Sequence, residues 1–418
     1  MRVDNLYKKP NGNIGVIVEQ APIENIVLEG GGPKGLVYAG ALKVLENKGI
    51  MQTVKNVGGS SAGAINALII GLGNTADRMQ EILYEQNIGE LTDLTEEDTT
   101  GRLGGLIKAR AAMSNLLFGS EKKGRGLYLG DELQGWIRSI ISARLQDALA
   151  LESDSSSQRY QLASTLINQR DVTFADLAQL GKLFPELSMK TMCFTGTNYT
   201  DKTLDVFNIY ETPDMPVSLA IRISSSLPWF YESIKYNGKE YIDGGCLDNY
   251  PMGIFDAPPF LPKNRPKLTS GIYGQNLCTL GFKVETVDEI RRIIWEGGQE
   301  DDTGAVKKLL NGVRNKVVAL CVGVDYIGAD RACEQAVYGK YGQRTIQIPD
   351  LDYSTFNFDL TNKDKDKITQ SGKDATMEWL SLYYDGVGIE LELSDLQELS
   401  SYVSPAEFEK AQQWAADL

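Results

Sequence analysis

Val57-Gly58-Gly59-Ser60-Ser61-Ala62-Gly63 sets one serine between glycines, after a short apolar run and before a small-residue one. Read from Gly59 it is G-x-S-x-G with Ser61 at its centre. Residues 54–57 read as the end of a strand and residues 62–72 as a helix. A chain that passes from strand to helix so abruptly must bend sharply. A Cβ on either flank clashes in such a bend, so glycine is needed there and the serine hydroxyl is left at the tip. The free N–H groups that open the next helix favour developing negative charge. The pattern reads as a nucleophile elbow. Alone it is weak, because about 0.3 matches arise by chance in a chain of this size and glycine content. The other parts of a site must be found elsewhere.

One lies just upstream. Residues 26–29 form an apolar strand candidate that runs directly into Gly30-Gly31-Gly32-Pro33-Lys34-Gly35. A helix follows over 36–47, with Gly49 as its stop signal, and then the strand of the elbow. Strand–helix–strand–helix is the opening of an α/β fold with a parallel sheet. A glycine loop at a strand's C-terminal end turns main-chain N–H groups toward an anion, and an acyl-transfer oxyanion fits that geometry. A nucleotide phosphate fits it badly: Lys34 is followed by Gly35 rather than Ser or Thr, and the phosphate-loop spacing is absent. The alternative from another functional class is a nucleotide- or partner-binding module that uses residues 30–35 without hydrolysis.

The 418 residues contain no histidine. A Ser-His-Asp triad is therefore impossible, as is a metal site built on imidazole. If Ser61 is a nucleophile, a carboxylate or a lysine must be its base. Tyr241-Ile242-Asp243-Gly244-Gly245 delivers an aspartate from a strand to a two-glycine turn, with Asn249 and Pro251 continuing the loop, and Asp243 is the best candidate. The net charge of −14 argues against nucleic acid as a partner, which needs clustered cations. The five cysteines (Cys193, Cys246, Cys278, Cys321, Cys333) are scattered and odd in number, which reads as structural thiols in a reducing compartment. Residues 1–13 lack the apolar core of a signal peptide, and no run is long enough to span a bilayer. No motif calls for a cofactor or a metal.

Further along, residues 101–126 carry six Lys and Arg residues against Glu121 alone, interleaved with apolar side chains. A basic, apolar, glycine-flanked insertion reads as a lid or membrane-touching segment, or as an ordinary amphipathic surface helix. A turn and helix are expected over 127–142 with Gly130-Asp131 at the start, and helices over 173–180 with Thr173 as cap, 216–226, 303–321 and 364–384. Paired strands are expected over 190–197 and 204–209, and further strands over 15–19, 276–284 and 345–348. Residues 386–418 read as an acidic, helix-prone tail with Pro405 opening its last helix.

Taken in order, Gly30 to Gly35, Gly59 to Gly63 and Asp243-Gly244-Gly245 resemble the patatin-like phospholipases. Arg222-Ile223-Ser224-Ser225-Ser226-Leu227-Pro228 and residues 356–380 look like further family segments. The resemblance covers roughly 23–385, leaving 1–22 as an N-terminal extension and 386–418 as a helical tail. It implies a three-layer α/β/α fold around a mainly parallel sheet. It also implies a lipid acyl hydrolase of phospholipase A or lysophospholipase type that releases fatty acid from membrane phospholipids. Ser61 would be the nucleophile and Asp243 its direct base, a dyad that agrees with the absence of histidine. The N–H groups of Gly31, Gly32 and Ala62 would form the oxyanion hole, with Gly30, Gly35, Gly59, Gly63, Gly244 and Gly245 as supporting glycines. Lys34, where many members carry arginine, is similar to the bacterial secreted effector branch, and either orients the loop or lies on the surface. Those effectors act on host membranes and several need a host protein activator. The resemblance thus implies peripheral membrane association in a bacterial or host cytosol.

Overall fold

A computed structural model describes residues 3–8, 14–18, 22–86, 126–261, 276–285, 344–351, 353, 360–383, 387–391 and 404–416. Strands β1 (Val3–Lys8) and β2 (Ile14–Val18) come first, followed by β3 (Asn25–Leu28). A 3-10 turn (Gly32–Leu36) runs into α1 (Val37–Asn47), then β4 (Asn56–Gly59), α2 (Ala62–Gly71) and α3 (Ala76–Glu85). Next are β5 (Gly126–Tyr128), α4 (Asp131–Ala150), α5 (Gln158–Ile167), α6 (Phe174–Leu183), β6 (Thr191–Asn198) and β7 (Thr203–Asn208). Helix α7 (Val217–Ser224) precedes β8 (Trp229–Tyr231), β9 (Ile234–Tyr236) and β10 (Lys239–Asp243). The chain continues with β11 (Thr279–Glu285), β12 (Thr345–Pro349), α8 (Asn362–Tyr383), β13 (Val387–Leu391) and α9 (Pro405–Ala416).

The main sheet has the order β12-β11-β3-β4-β6-β10-β9, with β7 also paired to β6. The run from β12 to β6 is parallel, and β6, β7, β10 and β9 pair antiparallel. This is the expected α/β architecture on a mainly parallel sheet. A parallel strand is covered on both faces, so it reads as an unbroken apolar run rather than an alternating one. On one face Ile26, Leu28, Val57, Phe194, Phe282 and Ile346 belong to the large core shared with α1, α2 and α4 to α8. On the other, Val27 and Cys193 meet Tyr250, Met252 and Phe255. Each fully buried Leu, Ile or Phe side chain contributes about 1.5–3 kcal/mol. Exposed ion pairs such as Arg78–Glu81 contribute about 1 kcal/mol or less. The apolar rows, not the rim charges, hold the sheet.

Two elements differ from the sequence expectation. Strand β4 lies two residues later than 54–57 and takes in both glycines of the elbow, Gly58 and Gly59. Those glycines read as turn residues, but they pair in register with Val27 and Leu28 on one side and Cys193 and Phe194 on the other. The tail is not helical throughout. Residues 387–391 form β13 and add an antiparallel strand to β2, which itself pairs with β1. The open edge of β2 satisfies the β13 backbone, and local helix propensity does not register a partner so distant in sequence. The last helix is present as α9, opened by Pro405. The cap at Thr173 is a full capping box with Asp176. The expected helix over 303–321 and the basic stretch up to residue 125 lie outside the described residues.

Helix α2 sits hard against β3. A Cβ on Gly63 would lie 2.2 Å from the Leu28 carbonyl oxygen and 2.7 Å from that of Glu29. Gly63→Ala is expected to destabilise the fold by about 1–3 kcal/mol in urea titrations. Gly135, exposed in α4 with nothing within 4 Å of its Cβ position, gives the opposite result: Gly135→Ala is expected to stabilise by about 0.5–1 kcal/mol.

Candidate active site

The site is assembled by a handover along β6. Over Thr191–Phe194 one edge of β6 carries β4, with Gly59 opposite Phe194. From Gly196 onward that edge carries β10, with Asp243 opposite Gly196. The other edge is taken by β7 along Cys193–Asn198, so β4 and β10 share an edge. Because β10 runs antiparallel to β6, the C-terminal ends of β4 and β10 meet. The residues that follow them, Ser61 after β4 and Asp243 at the end of β10, are brought together although 182 positions separate them.

Ser61 has φ 52° and ψ −125°, a conformation that costs a non-glycine residue about 1–3 kcal/mol. Its side chain is therefore held at the tip of the bend, and its Oγ donates to Asp243 Oδ2 at 2.8 Å. The other carboxylate oxygen, Oδ1, accepts the Gly245 N–H at 2.7 Å, at the start of the 3-10 turn Gly244–Cys246. The Asp243 N–H donates to the Ser226 carbonyl at 3.0 Å. Asp243 is 1% exposed. Burial pushes its carboxyl up to about 7, against the hydrogen bonds from Ser61 and Gly245, which favour the ionised form. A carboxylate with such a value accepts a proton usefully near neutral pH.

The glycine loop lies beside this pair. A Cβ on Gly30 would sit 2.9 Å from Ser61 Cβ and 2.3 Å from Asn249 Oδ1. Gly30 is clamped on both sides by Asn249: its N–H donates to the Asn249 carbonyl at 3.0 Å, and Asn249 Nδ2 donates to the Gly30 carbonyl at 3.0 Å. Gly32 takes φ 57°, a left-handed conformation that glycine adopts without steric cost. Among the described residues, none accepts a hydrogen bond from the N–H of Gly31, Gly32 or Ala62. Gly35 packs against Asn66 and Ala62 at the start of α2, which fixes the loop's far end. The loop, the elbow and the D-G-G turn thus converge on one place, as an acyl-transfer site requires.

Lys34 does not lie free on the surface. Its Nζ is 2.6 Å from Asp350 Oδ2, with the two side chains 16% and 5% exposed, and this pins the turn after the glycine loop to the end of β12. Behind the loop is a buried ion cluster. Glu29 Oε1 is 3.2 Å from Lys283 Nζ, and Lys283 also pairs with Glu285. Glu29 Oε2 accepts the Val284 N–H at 2.7 Å, and the Glu29 carbonyl accepts the Tyr38 hydroxyl at 2.6 Å. Sequence pattern alone does not show this cluster, the Asp350 partner of Lys34 or the clamping role of Asn249. The local signal is a glutamate at the end of an otherwise apolar strand; its charged partner Lys283 lies on β11, far away in sequence. Cys193, Cys246 and Cys278 are buried free thiols.

Residues 26–256 match the patatin-like phospholipase family, more than half of the chain, and the chain belongs to that family. Among curated relatives, the probable lipid hydrolase 463L of Invertebrate iridescent virus 6 is 25% identical over 231 residues, 55% of this chain and 62% of that protein. This chain therefore spans less than two thirds of that relative's length. The fold is similar to that of VipD from Legionella pneumophila, with a TM-score of 0.56 at 16% identity over 94% of this chain and 72% of VipD. It is also similar to ExoU of the Pseudomonas aeruginosa type III secretion system, solved in complex with SpcU, with a TM-score of 0.50 at 19% identity over 98% of this chain and 63% of that one.

The buried carboxyl has a consequence for stability. The Asp243 value lies above its ordinary 3.8 in the folded protein, so folding favours the protonated acid. The stability this gives is complete below pH 3.8 and is lost as pH rises through about 7. Asparagine cannot ionise. The Tm of Asp243→Asn relative to wild type is therefore expected to climb between pH 4 and pH 7 and to level off above, measured by thermal scans across that range. A difference flat with pH would contradict the raised value.

Proposed function

We propose that this protein is a serine lipid acyl hydrolase of phospholipase A type, acting on membrane phospholipids through Ser61 and Asp243. The single observation that carries the reading is the 2.8 Å hydrogen bond from Ser61 Oγ to the buried Asp243 carboxylate, in a chain that has no histidine to stand between them. Membership of a phospholipase family supports the substrate class.

In this mechanism Ser61 Oγ attacks the ester carbonyl carbon while its proton passes to Asp243 Oδ2. The carbonyl oxygen becomes an oxyanion held by the N–H groups of Gly31, Gly32 and Ala62. Collapse breaks the ester C–O bond, and the departing lysophospholipid oxygen takes the proton from Asp243. Water then attacks the acyl-Ser61 ester and gives its proton to Asp243. Release of free fatty acid returns that proton to Ser61 Oγ. Aspartate is a weak base for a hydroxyl, so the scheme depends on exclusion of water and on the raised carboxyl.

The resemblance of the Lys34-containing loop to secreted effectors, together with the ExoU–SpcU relative, supports a bacterial effector that meets membranes peripherally and works with a protein partner such as an activator. The catalytic unit is then residues 23–385. No described helix is long and apolar enough to cross a membrane.

Ser61→Ala and Asp243→Asn are each expected to lower fatty-acid release from phosphatidylcholine vesicles by about 10⁴-fold or more, with unchanged circular dichroism. Wild type is expected to be labelled by a fluorophosphonate at Ser61 and Ser61→Ala to be inert. Wild-type rates in either variant would exclude the dyad. Calorimetric nucleotide binding without labelling would favour a binding module instead. Fatty-acid release assayed with and without a eukaryotic lysate reads out the activator.

A further inference from the structure

The strained backbone of Ser61 has to be held by something besides its own helix. Helix α7 ends in Ser224, and Ser225 and Ser226 continue the turn. Ser224 is fully buried, and its Oγ accepts the Ser61 N–H at 3.0 Å. Ser225 Oγ approaches the Ser61 carbonyl at 3.4 Å. Ser226 receives the Asp243 N–H on its carbonyl at 3.0 Å. Three consecutive residues therefore touch both amide groups of Ser61 and the main chain of Asp243.

The turn itself is fixed from below. Arg222 is 1% exposed, and its guanidinium donates to Ser226 Oγ at 2.5 Å, to the Leu129 carbonyl at 2.5 Å and to the Glu232 carbonyl at 3.2 Å. The Tyr231 ring lies 4.8 Å from it. A guanidinium presents its donors in a rigid fork, so these acceptors are held at set positions relative to one another.

We propose that Ser224 is a positioning residue for the reaction. Its hydroxyl accepts the Ser61 N–H, holds the nucleophile in its positive-φ conformation and, through the turn shared with Ser226, sets the Ser61–Asp243 distance. The proposal rests on the hydrolase reading. An unusual φ persists only when its surroundings over-determine it. Without the Ser224 acceptor, the part-buried Ser61 N–H loses its hydrogen-bond partner, a penalty that relaxation of the bend relieves. Relaxation moves Oγ away from Asp243, and a displacement of about 1 Å costs about 100-fold in rate.

The test compares wild type, Ser224→Ala, Ser224→Thr and Ser225→Ala. Two quantities are read: the second-order rate of fluorophosphonate labelling at Ser61, and kcat and KM on phosphatidylcholine vesicles, with kcat expressed per labelled site. Ser224→Ala is expected to slow labelling and to lower kcat by about 10- to 100-fold, with KM within about twofold. Ser224→Thr keeps an Oγ acceptor and is expected to restore most of the rate. Ser225→Ala, which removes the longer contact, is expected to lose less than Ser224→Ala. A purely structural role would reduce the number of labelled sites and leave the rate per site at the wild-type value, and that result would overturn the proposal. So would a Ser224→Thr variant as slow as Ser224→Ala. If wild type neither labels nor hydrolyses, the hydrolase reading fails and the proposal falls with it. Wild-type activity with a fast Ser224→Ala removes the proposal alone.

Discussion

A carboxylate taken out of water and placed in contact with a serine hydroxyl is the constraint on which the rest of this structure depends. Burial raises the Asp243 carboxyl to about 7, and the hydrogen bonds from Ser61 Oγ and the Gly245 N–H keep it from rising further. In water the same side chain is a far weaker base and gains little from the hydroxyl. The sheet therefore has to bring the ends of two strands together in a dry place. It does so by letting β6 exchange one neighbour for another, β4 for β10, along a single edge.

That arrangement carries costs that the surrounding packing offsets. Ser61 sits in a strained backbone conformation, Asp243 is buried beside it, and Glu29, Lys283 and Glu285 are buried behind the glycine loop. A buried ion pair adds little net stability, because the desolvation of both partners opposes their attraction. What the cluster does well is fix geometry, since Glu29 ties the strand before the loop to β11 through both Lys283 and the Val284 N–H. Asn249 then joins the same loop to the D-G-G turn. Local strain at a site supported by a rigid frame is the usual distribution of stability against function.

Much of this was legible in the order of residues. The β3–loop–α1–β4–elbow–α2 opening follows from glycines at strand ends and from apolar runs of strand and helix length. The β6–β7 pair, α6 with its Thr173 cap, and α8 were also readable, because their signals are local. Where local pattern is not enough, the deciding partner lies far away in sequence. Gly58 and Gly59 look like turn residues until the strands on both sides are known, and residues 387–391 look like part of a helical tail until β2 offers its edge. Lys34 reads equally as a loop or a surface residue until Asp350, 316 positions away, is seen to hold it.

The sequence by itself determined which residue types are available to the proposed chemistry. With no histidine present, a serine in G-x-S-x-G leaves only a carboxylate or lysine as its base, and Asp243, delivered from a strand into a two-glycine turn, is the best candidate. Tertiary structure alone decided that Ser61 Oγ and Asp243 Oδ2 lie 2.8 Å apart, that the carboxyl is buried, and that Ser224 bonds the Ser61 N–H while Asn249 bonds Gly30. The physical reason is the range of the interactions. Backbone preference and hydrophobic period act over a few neighbouring residues, whereas desolvation and hydrogen-bond distance are set by segments that meet only when the sheet has formed.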